Sequence, residues 1–183
     1  MTERDTYTVD VAGVTRDLPL FEVAPGVRIA VFNLLGDSEI VVAAARELAK
    51  DLDPLSADAL VTAETKSVPL VYQLAVEMKK PWVVLRKAYK SYMGQTVTAE
   101  TVSITTGAPQ TLYLDEKDQE LVRGKRVVLV DDVVSTGSTF AGMREVMEKA
   151  GAEVVAEAAV FTEGDEDKWR DVRALGHLPV FTG

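Results

Sequence analysis

Hydrophobic positions fall into two rhythms along this chain. Between residues 38 and 51, Ile40, Val41, Ala44, Ala45 and Leu48 recur at helical spacing, with Asp37 or Ser38 placed to cap the first turn and Pro54 to stop the run. A second helix is predicted after residues 64–67, with Pro69 in its first turn and Leu70, Leu74 and Met78 along one face. A third follows residue 137 and ends at Lys149-Ala150-Gly151, where glycine supplies a left-handed cap. Short, continuous apolar runs stand between them, at 58–63, 82–87, 126–132 and 154–161. Runs of this kind predict strands buried on both faces, and their alternation with helices predicts an α/β fold with a central, mostly parallel β-sheet flanked by helices.

The ends of the chain read differently. Residues 1–35 are short apolar stretches punctuated by Gly13, Pro19, Pro25 and Gly26, which predicts strands and turns. Residues 88–114 alternate in places and break at Gly107-Ala108-Pro109, as in a flexible hairpin. Residues 163–171 are dense in charge and are expected to be a solvated connection, and residues 177–181 are expected to pair with the N-terminal strands in a small second lobe.

The chain has 183 residues, of which 47% are hydrophobic and 27% charged, a globular composition of a size that suits one domain. No stretch reaches the roughly 20 apolar residues of a membrane span, and the charged first ten residues lack an apolar leader. The absence of cysteine removes disulfides and thiolate chemistry, and it fits a cytoplasmic location. A net charge of −9 argues against nucleic acid as a partner. The single histidine, His177, makes a histidine-based triad or metal centre a poor fit and is read as a surface or packing residue.

The chemistry concentrates in residues 127–139, VVLVDDVVSTGST. An apolar strand ends in two carboxylates, and a turn rich in hydroxyls and glycine leads into a helix. Backbone N–H groups at such a helix start, backed by the helix dipole, form a cradle for phosphate. Gly137 lets the backbone approach the anion, while Ser135, Thr136, Ser138 and Thr139 add hydroxyl donors. Neither a dinucleotide-binding glycine pattern nor a Walker loop is present. Carboxylates beside a phosphate cradle repel the anion unless they hold something else, either ribose hydroxyls or a divalent cation. A sugar phosphate with free vicinal hydroxyls satisfies both halves. Two other segments can serve a second anion: ETKS at 64–67, which is otherwise a plain strand-to-helix loop, and RKAYK at 86–90, which is otherwise a surface patch of Arg86, Lys87 and Lys90.

The 127–139 segment closely resembles the signature of type I phosphoribosyltransferases, the loop that binds 5-phosphoribosyl-1-pyrophosphate (PRPP), and ETKS and RKAYK follow the same family's order. The resemblance implies the type I phosphoribosyltransferase fold, with a core at about 36–162 and a hood from about 1–35 and 163–183. It implies that Asp131 and Asp132 face the ribose hydroxyls and act in catalysis, and that Ser135, Thr136, Gly137, Ser138 and Thr139 hold the 5′-phosphate. Glu64, Thr65, Lys66, Ser67, Arg86, Lys87 and Lys90 are assigned to pyrophosphate, and segment 91–112 to a closing loop in which Glu100 handles a proton. Mg²⁺ is implied as cofactor, held mainly by PRPP near Asp131 and Asp132, and a homodimer as the assembly. The pattern of strand, ETKS, helix and Arg-Lys looks most like the adenine and xanthine branch, and Ser135 stands where the hypoxanthine–guanine branch carries an aspartate. An adenine-type purine phosphoribosyltransferase is therefore expected. Xanthine or orotate transfer and a PRPP-sensing regulator of the same fold are the alternatives. Thr105-Thr106 stand where adenine enzymes carry a Glu-Tyr pair.

Overall fold

The computed structural model describes residues 4–102 and 109–183. Its elements are β1 (Thr6–Val11), β2 (Val14–Ala24), β3 (Val27–Ala30), α1 (Ser38–Leu52), β4 (Ala59–Ala63), α2 (Val68–Met78) and β5 (Trp82–Leu85). There follow β6 (Val97–Val102), β7 (Pro109–Leu114), α3 (Gln119–Val122), β8 (Arg126–Val134), α4 (Ser138–Lys149), β9 (Glu153–Glu163), β10 (Val172–Leu178) and β11 (Val180–Thr182).

Five strands form the central sheet in the order β10-β9-β8-β4-β5, and every neighbouring pair is parallel. The chain winds outward in one direction from β4 to β5 and in the other from β8 through β9 to β10. The direction reverses between β4 and β8, and at such a point the loops leaving the carboxyl ends diverge and open a crevice.

Burial on both faces explains the apolar runs. Along β8, Val128 and Val130 enter the core shared with α1 and α2, while Val127 and Leu129 enter the core shared with α4. All four are fully buried, and each contributes roughly 1.5–3 kcal/mol of hydrophobic stabilisation. Pleated alternation leaves a polar residue in such a strand only where a partner meets it, as Val130 O meets the Thr62 hydroxyl.

The hairpin β6–β7 packs across α4, and the approach is close enough that a Cβ at Gly142 would lie 1.9 Å from Thr101 Cγ2. Glycine is what lets the hairpin lie against the helix that carries the hydroxyl-rich turn. The predicted break at Gly107-Ala108 and the Thr105-Thr106 pair lie outside the described residues.

The termini form a separate four-stranded antiparallel sheet, β1-β2-β3-β11. Here the expectation for residues 177–181 needs correcting. Only Val180–Thr182 pairs with β3, whereas His177 and Leu178 belong to β10, which extends the central sheet beyond β9. As an edge strand β10 is half-buried, and so it carries no apolar run to announce it. His177 packs there, its Nδ1 2.9 Å from Thr162 Oγ1.

Among the described residues, Arg16 ties the terminal sheet to the core through Asp37 and Glu39. Asp37 caps α1 by accepting from Ile40 N–H at 3.2 Å, and Arg16 of β2 reaches both of its carboxylate oxygens, at 2.7 and 2.9 Å. Arg16 and the helix N–H hold the Asp37 carboxyl below its usual range. A group of that kind stabilises the fold above its unfolded pKa and loses the contribution as pH falls through the lowered folded value. Replacing Asp37 by alanine is expected to cost about 1–2 kcal/mol at pH 7, and urea unfolding should show the deficit shrinking towards pH 3.

Candidate active site

The crevice at the reversal point holds two joined hollows. The smaller, of about 230 Å³, is lined by loop 64–67, Lys87, Asp131, Asp132 and Thr139. The larger, of about 360 Å³, is lined by the turn at 135–139, Asp131, Glu163, Thr101 and Gln110 of the hairpin, and Ile29 of the terminal sheet. Lys87, Asp131, Val133 and Thr139 border both, so the hollows meet beside the first acid of β8.

The turn owes its shape to Gly137. This residue is the N-cap of α4 in a left-handed conformation (φ 81°), and a Cβ there would lie 2.7 Å from Trp169 Cη2. Both conditions exclude a side chain. Thr136 Oγ1 and Ser138 Oγ lie 3.0 Å apart, and Thr136 Oγ1 accepts from Ser138 N–H at 3.3 Å. The opening turn of the twelve-residue α4 faces the larger hollow, with backbone donors that the helix itself cannot satisfy.

Loop 64–67 is fixed from below. Thr62, fully buried, donates its hydroxyl to Val130 O at 2.7 Å and lies 2.7 Å from Ser67 Oγ. The chain of hydroxyls links one end of the smaller hollow to the peptide just before Asp131. At its other end, Glu64 pairs with Arg86, and its second oxygen accepts from Lys87 N–H at 2.9 Å.

Asp131 and Asp132 stand side by side, with Asp132 N–H donating to Asp131 Oδ1 at 2.9 Å. Burial, and then the neighbouring Asp132 charge, push the Asp131 carboxyl up to about 8. Two acids and Lys87 at one junction suit a diol or a cation that brings its own ligands. Among the described residues no group of three His, Cys, Asp or Glu could hold a metal alone.

The structure brings together Glu64, Thr65, Lys66, Ser67, Lys87, Asp131, Asp132 and Ser135 to Thr139. Three other candidates lie outside the two linings. Arg86 turns to Glu64, and Lys90 opens a short 3₁₀ turn, its backbone N–H directed to Met93 Sδ. Glu100 is exposed, because the pleat of β6 sends it to the face opposite Thr101, which lines the larger hollow. Segment 163–171, expected to be a solvated connection, instead contributes to the site. Glu163 is buried and accepts from the Ser135 hydroxyl at 2.6 Å, and Trp169 lies over Gly137 while its indole N–H donates to Glu163 O.

An open parallel sheet with a phosphate-type turn after one inner strand and an anion loop after its neighbour defines the type I phosphoribosyltransferase architecture. The adenine phosphoribosyltransferase from Thermoanaerobacter pseudethanolicus superposes with a TM-score of 0.68 at 20% identity, over 94% of this chain and 95% of that one. The chain belongs to the phosphoribosyl transferase domain family, whose model matches residues 34–174. It is 32% identical to a hypoxanthine/guanine phosphoribosyltransferase of Methanotorris igneus over 124 residues, covering 68% of this chain and 64% of that protein. It is 33% identical to an adenine phosphoribosyltransferase of Agathobacter rectalis over 126 residues, covering 68% and 69%. The chain thus spans a little under two thirds of the first relative's length. No helix among the described residues is long and apolar enough to cross a membrane.

The raised Asp131 carboxyl makes a stability prediction. The folded chain keeps a proton that the unfolded chain releases near pH 4, so stability is full below that pH and is lost as pH rises towards 8. Asp131→Asn removes the loss. Thermal melts should show the variant gaining a few degrees on the wild type between pH 5 and pH 8, with the gap closing near pH 4.

Proposed function

We propose that the protein is a purine phosphoribosyltransferase of the adenine type, which moves the 5-phosphoribosyl group from PRPP to the base and releases pyrophosphate. The observation that carries this reading is the junction of two anion-binding hollows at a pair of carboxylates. PRPP has a phosphate at one end, a pyrophosphate at the other and a vicinal diol between them.

In this reading the 5′-phosphate accepts from the backbone N–H groups and hydroxyls of Ser135, Thr136, Gly137, Ser138 and Thr139. The ribose hydroxyls donate to Asp131 and Asp132. Pyrophosphate meets loop 64–67 and Lys87. The C1–O bond to pyrophosphate breaks, its electron pair leaves with the pyrophosphate, and a ring nitrogen of the base forms the new bond to C1 as its proton passes to the departing pyrophosphate or to water. Positive charge grows on the ribose as the bond breaks, and the negative charge that the pair of acids carries beneath the sugar favours it. Lys87 and the loop amides take up the charge developing on the leaving group. No side-chain nucleophile is needed, which suits a chain without cysteine.

The donor set fits Mg²⁺ only as an ion shared with the substrate: Asp131 and Asp132 would hold it together with the substrate's own oxygens, and it would neutralise pyrophosphate charge. The homodimer that the resemblance implies belongs to the same reading, as does a cytoplasmic location.

Pyrophosphate release should be measured with PRPP, Mg²⁺ and a panel of adenine, hypoxanthine, guanine, xanthine and orotate. Adenine-dependent release is expected. Tight PRPP binding without release on any base overturns the transferase reading in favour of a PRPP-sensing regulator. Asp131→Asn combined with Asp132→Asn should weaken PRPP binding on the order of 10- to 100-fold, the loss expected when the hydrogen bonds that the acid pair accepts are weakened. Unchanged affinity rules out the assignment of the diol to these acids.

A further inference from the structure

The hydroxyl-rich turn is held from outside the hollows as well as from the helix that follows it. After β9 the chain folds back through a short 3₁₀ turn, Glu166–Trp169, which Asp165 caps by accepting from Asp167 N–H at 3.1 Å. Trp169 packs against the core on the α4 side of the sheet, and the six-membered ring of its indole covers Gly137. The indole N–H donates to Glu163 O at 3.0 Å, which fixes the ring in place. Lys168 lies over the same side chain, its Nζ 4.5 Å from the ring centroid, and donates to Thr136 O at 3.2 Å. Neither Lys168 nor Trp169 lines either hollow.

These contacts settle the direction of one peptide. In a trans peptide the carbonyl and the N–H of the next residue point opposite ways. Lys168 holds Thr136 O on the outside of the turn, so the Gly137 N–H of the same peptide is aimed inward. Gly137 lines the larger hollow, and among the described residues its N–H meets no acceptor. A positive charge on the carbonyl side polarises the peptide and strengthens the donor at its other end. A glycine peptide is also free to swing, and the Trp169 ring fills the space into which this one would move.

We propose that Lys168 and Trp169 form a strap that sets the turn's affinity for phosphate by orienting and polarising the Thr136–Gly137 peptide. The inference rests on the transferase reading above, in which this turn takes the 5′-phosphate, and adds positioning residues to it. Lys168 acts through two hydrogen bonds in series: its ammonium donates to Thr136 O, and Gly137 N–H donates to a phosphate oxygen. Trp169 is the platform that orders the long lysine side chain, whose rotamer freedom would otherwise oppose the contact. The strap thus lends the turn part of a cation's effect while the cation stays outside the hollow.

Calorimetric titration with ribose 5-phosphate, and separately with pyrophosphate and Mg²⁺, probes the two hollows without turnover. Wild type, K168M, K168R and W169F are compared, and pyrophosphate release from PRPP on the base panel is followed in parallel. K168M should weaken ribose 5-phosphate about fivefold, the loss expected for one charge-assisted hydrogen bond, and leave pyrophosphate within about twofold. K168R should restore most of the loss. W169F, whose shorter side chain gives up the ring over Gly137 and the bond to Glu163 O, should weaken ribose 5-phosphate by about tenfold. In the NMR spectrum of the ligand-free protein, the Gly137 amide should shift in K168M and return in K168R. Unchanged ribose 5-phosphate affinity in K168M, or equal losses for both ligands, overturns the strap and leaves the transferase reading standing. A selective loss in K168M, with no pyrophosphate release by the wild type on any base, supports the strap and overturns the transferase reading. A wild type that binds pyrophosphate but not ribose 5-phosphate overturns the strap and the placement of the 5′-phosphate together. Lys168 is exposed, so its two variants keep the core intact and decide alone if W169F fails to fold.

Discussion

A strand buried on both faces can present polar groups to a ligand only where it parts from a neighbour, as β8 parts from β4 after Leu129 while it stays paired with β9. β8 is apolar through Val130 because α1 and α2 cover one face and α4 the other. After the apolar run, Asp131 and Asp132 emerge towards the carboxyl end, where the winding direction reverses and no crossover helix covers the crevice. Every other part of the site is placed relative to that point. Thr62 ties loop 64–67 to the carbonyl of Val130, and Gly137 turns the chain into α4 so that the helix start faces back over the acids. The hairpin lies against α4 because Gly142 leaves room for Thr101.

The chain carries a net charge of −9, while the proposed function asks its site to take an anionic ligand. The two agree if the site relies on oriented dipoles more than on side-chain cations. Lys66 and Lys87 are the lysines that line the hollows, while Arg86 is occupied by Glu64. Backbone N–H groups at the start of α4 carry partial positive charge that needs no counter-ion and leaves the fold's net charge unaltered. The acids at the junction then have a definite part. Their crowding raises the Asp131 carboxyl, through burial and then the charge of Asp132. In the proposed function a sugar diol answers that need by donating to them.

How much of this was legible in the residues follows from how local each signal is. The helices at Ser38–Leu52 and Val68–Met78 and the segment 127–139 carry their information within one stretch: a cap, a period, a glycine between hydroxyls. β10 was not legible, because an edge strand half open to solvent alternates too weakly to stand out from its charged surroundings. Glu163 and Trp169 sat in a stretch whose charge read as solvated. Their role comes from the pairing of β9 with β8, which brings residue 163 beside residue 135 across 28 positions of sequence. The cluster at 86–90 shows the opposite failure. Three cations within five residues suggested one anion site, but the strand ends at Leu85, before them, and in the segment that follows Lys87 enters the hollow, Arg86 turns to Glu64 and Lys90 stands outside the lining. A signal in Glu64 could have warned of this, since an acid in an anion loop needs a partner of its own.

The most direct measurement is a crystal structure of the protein grown with PRPP and Mg²⁺. The 5′-phosphate should lie on the 135–139 turn, the ribose hydroxyls on Asp131 and Asp132, and the pyrophosphate against loop 64–67. A ligand bound with its diol away from both acids, or an empty 135–139 turn in crystals that hold the ligand elsewhere, would contradict the placement of the site at the end of β8.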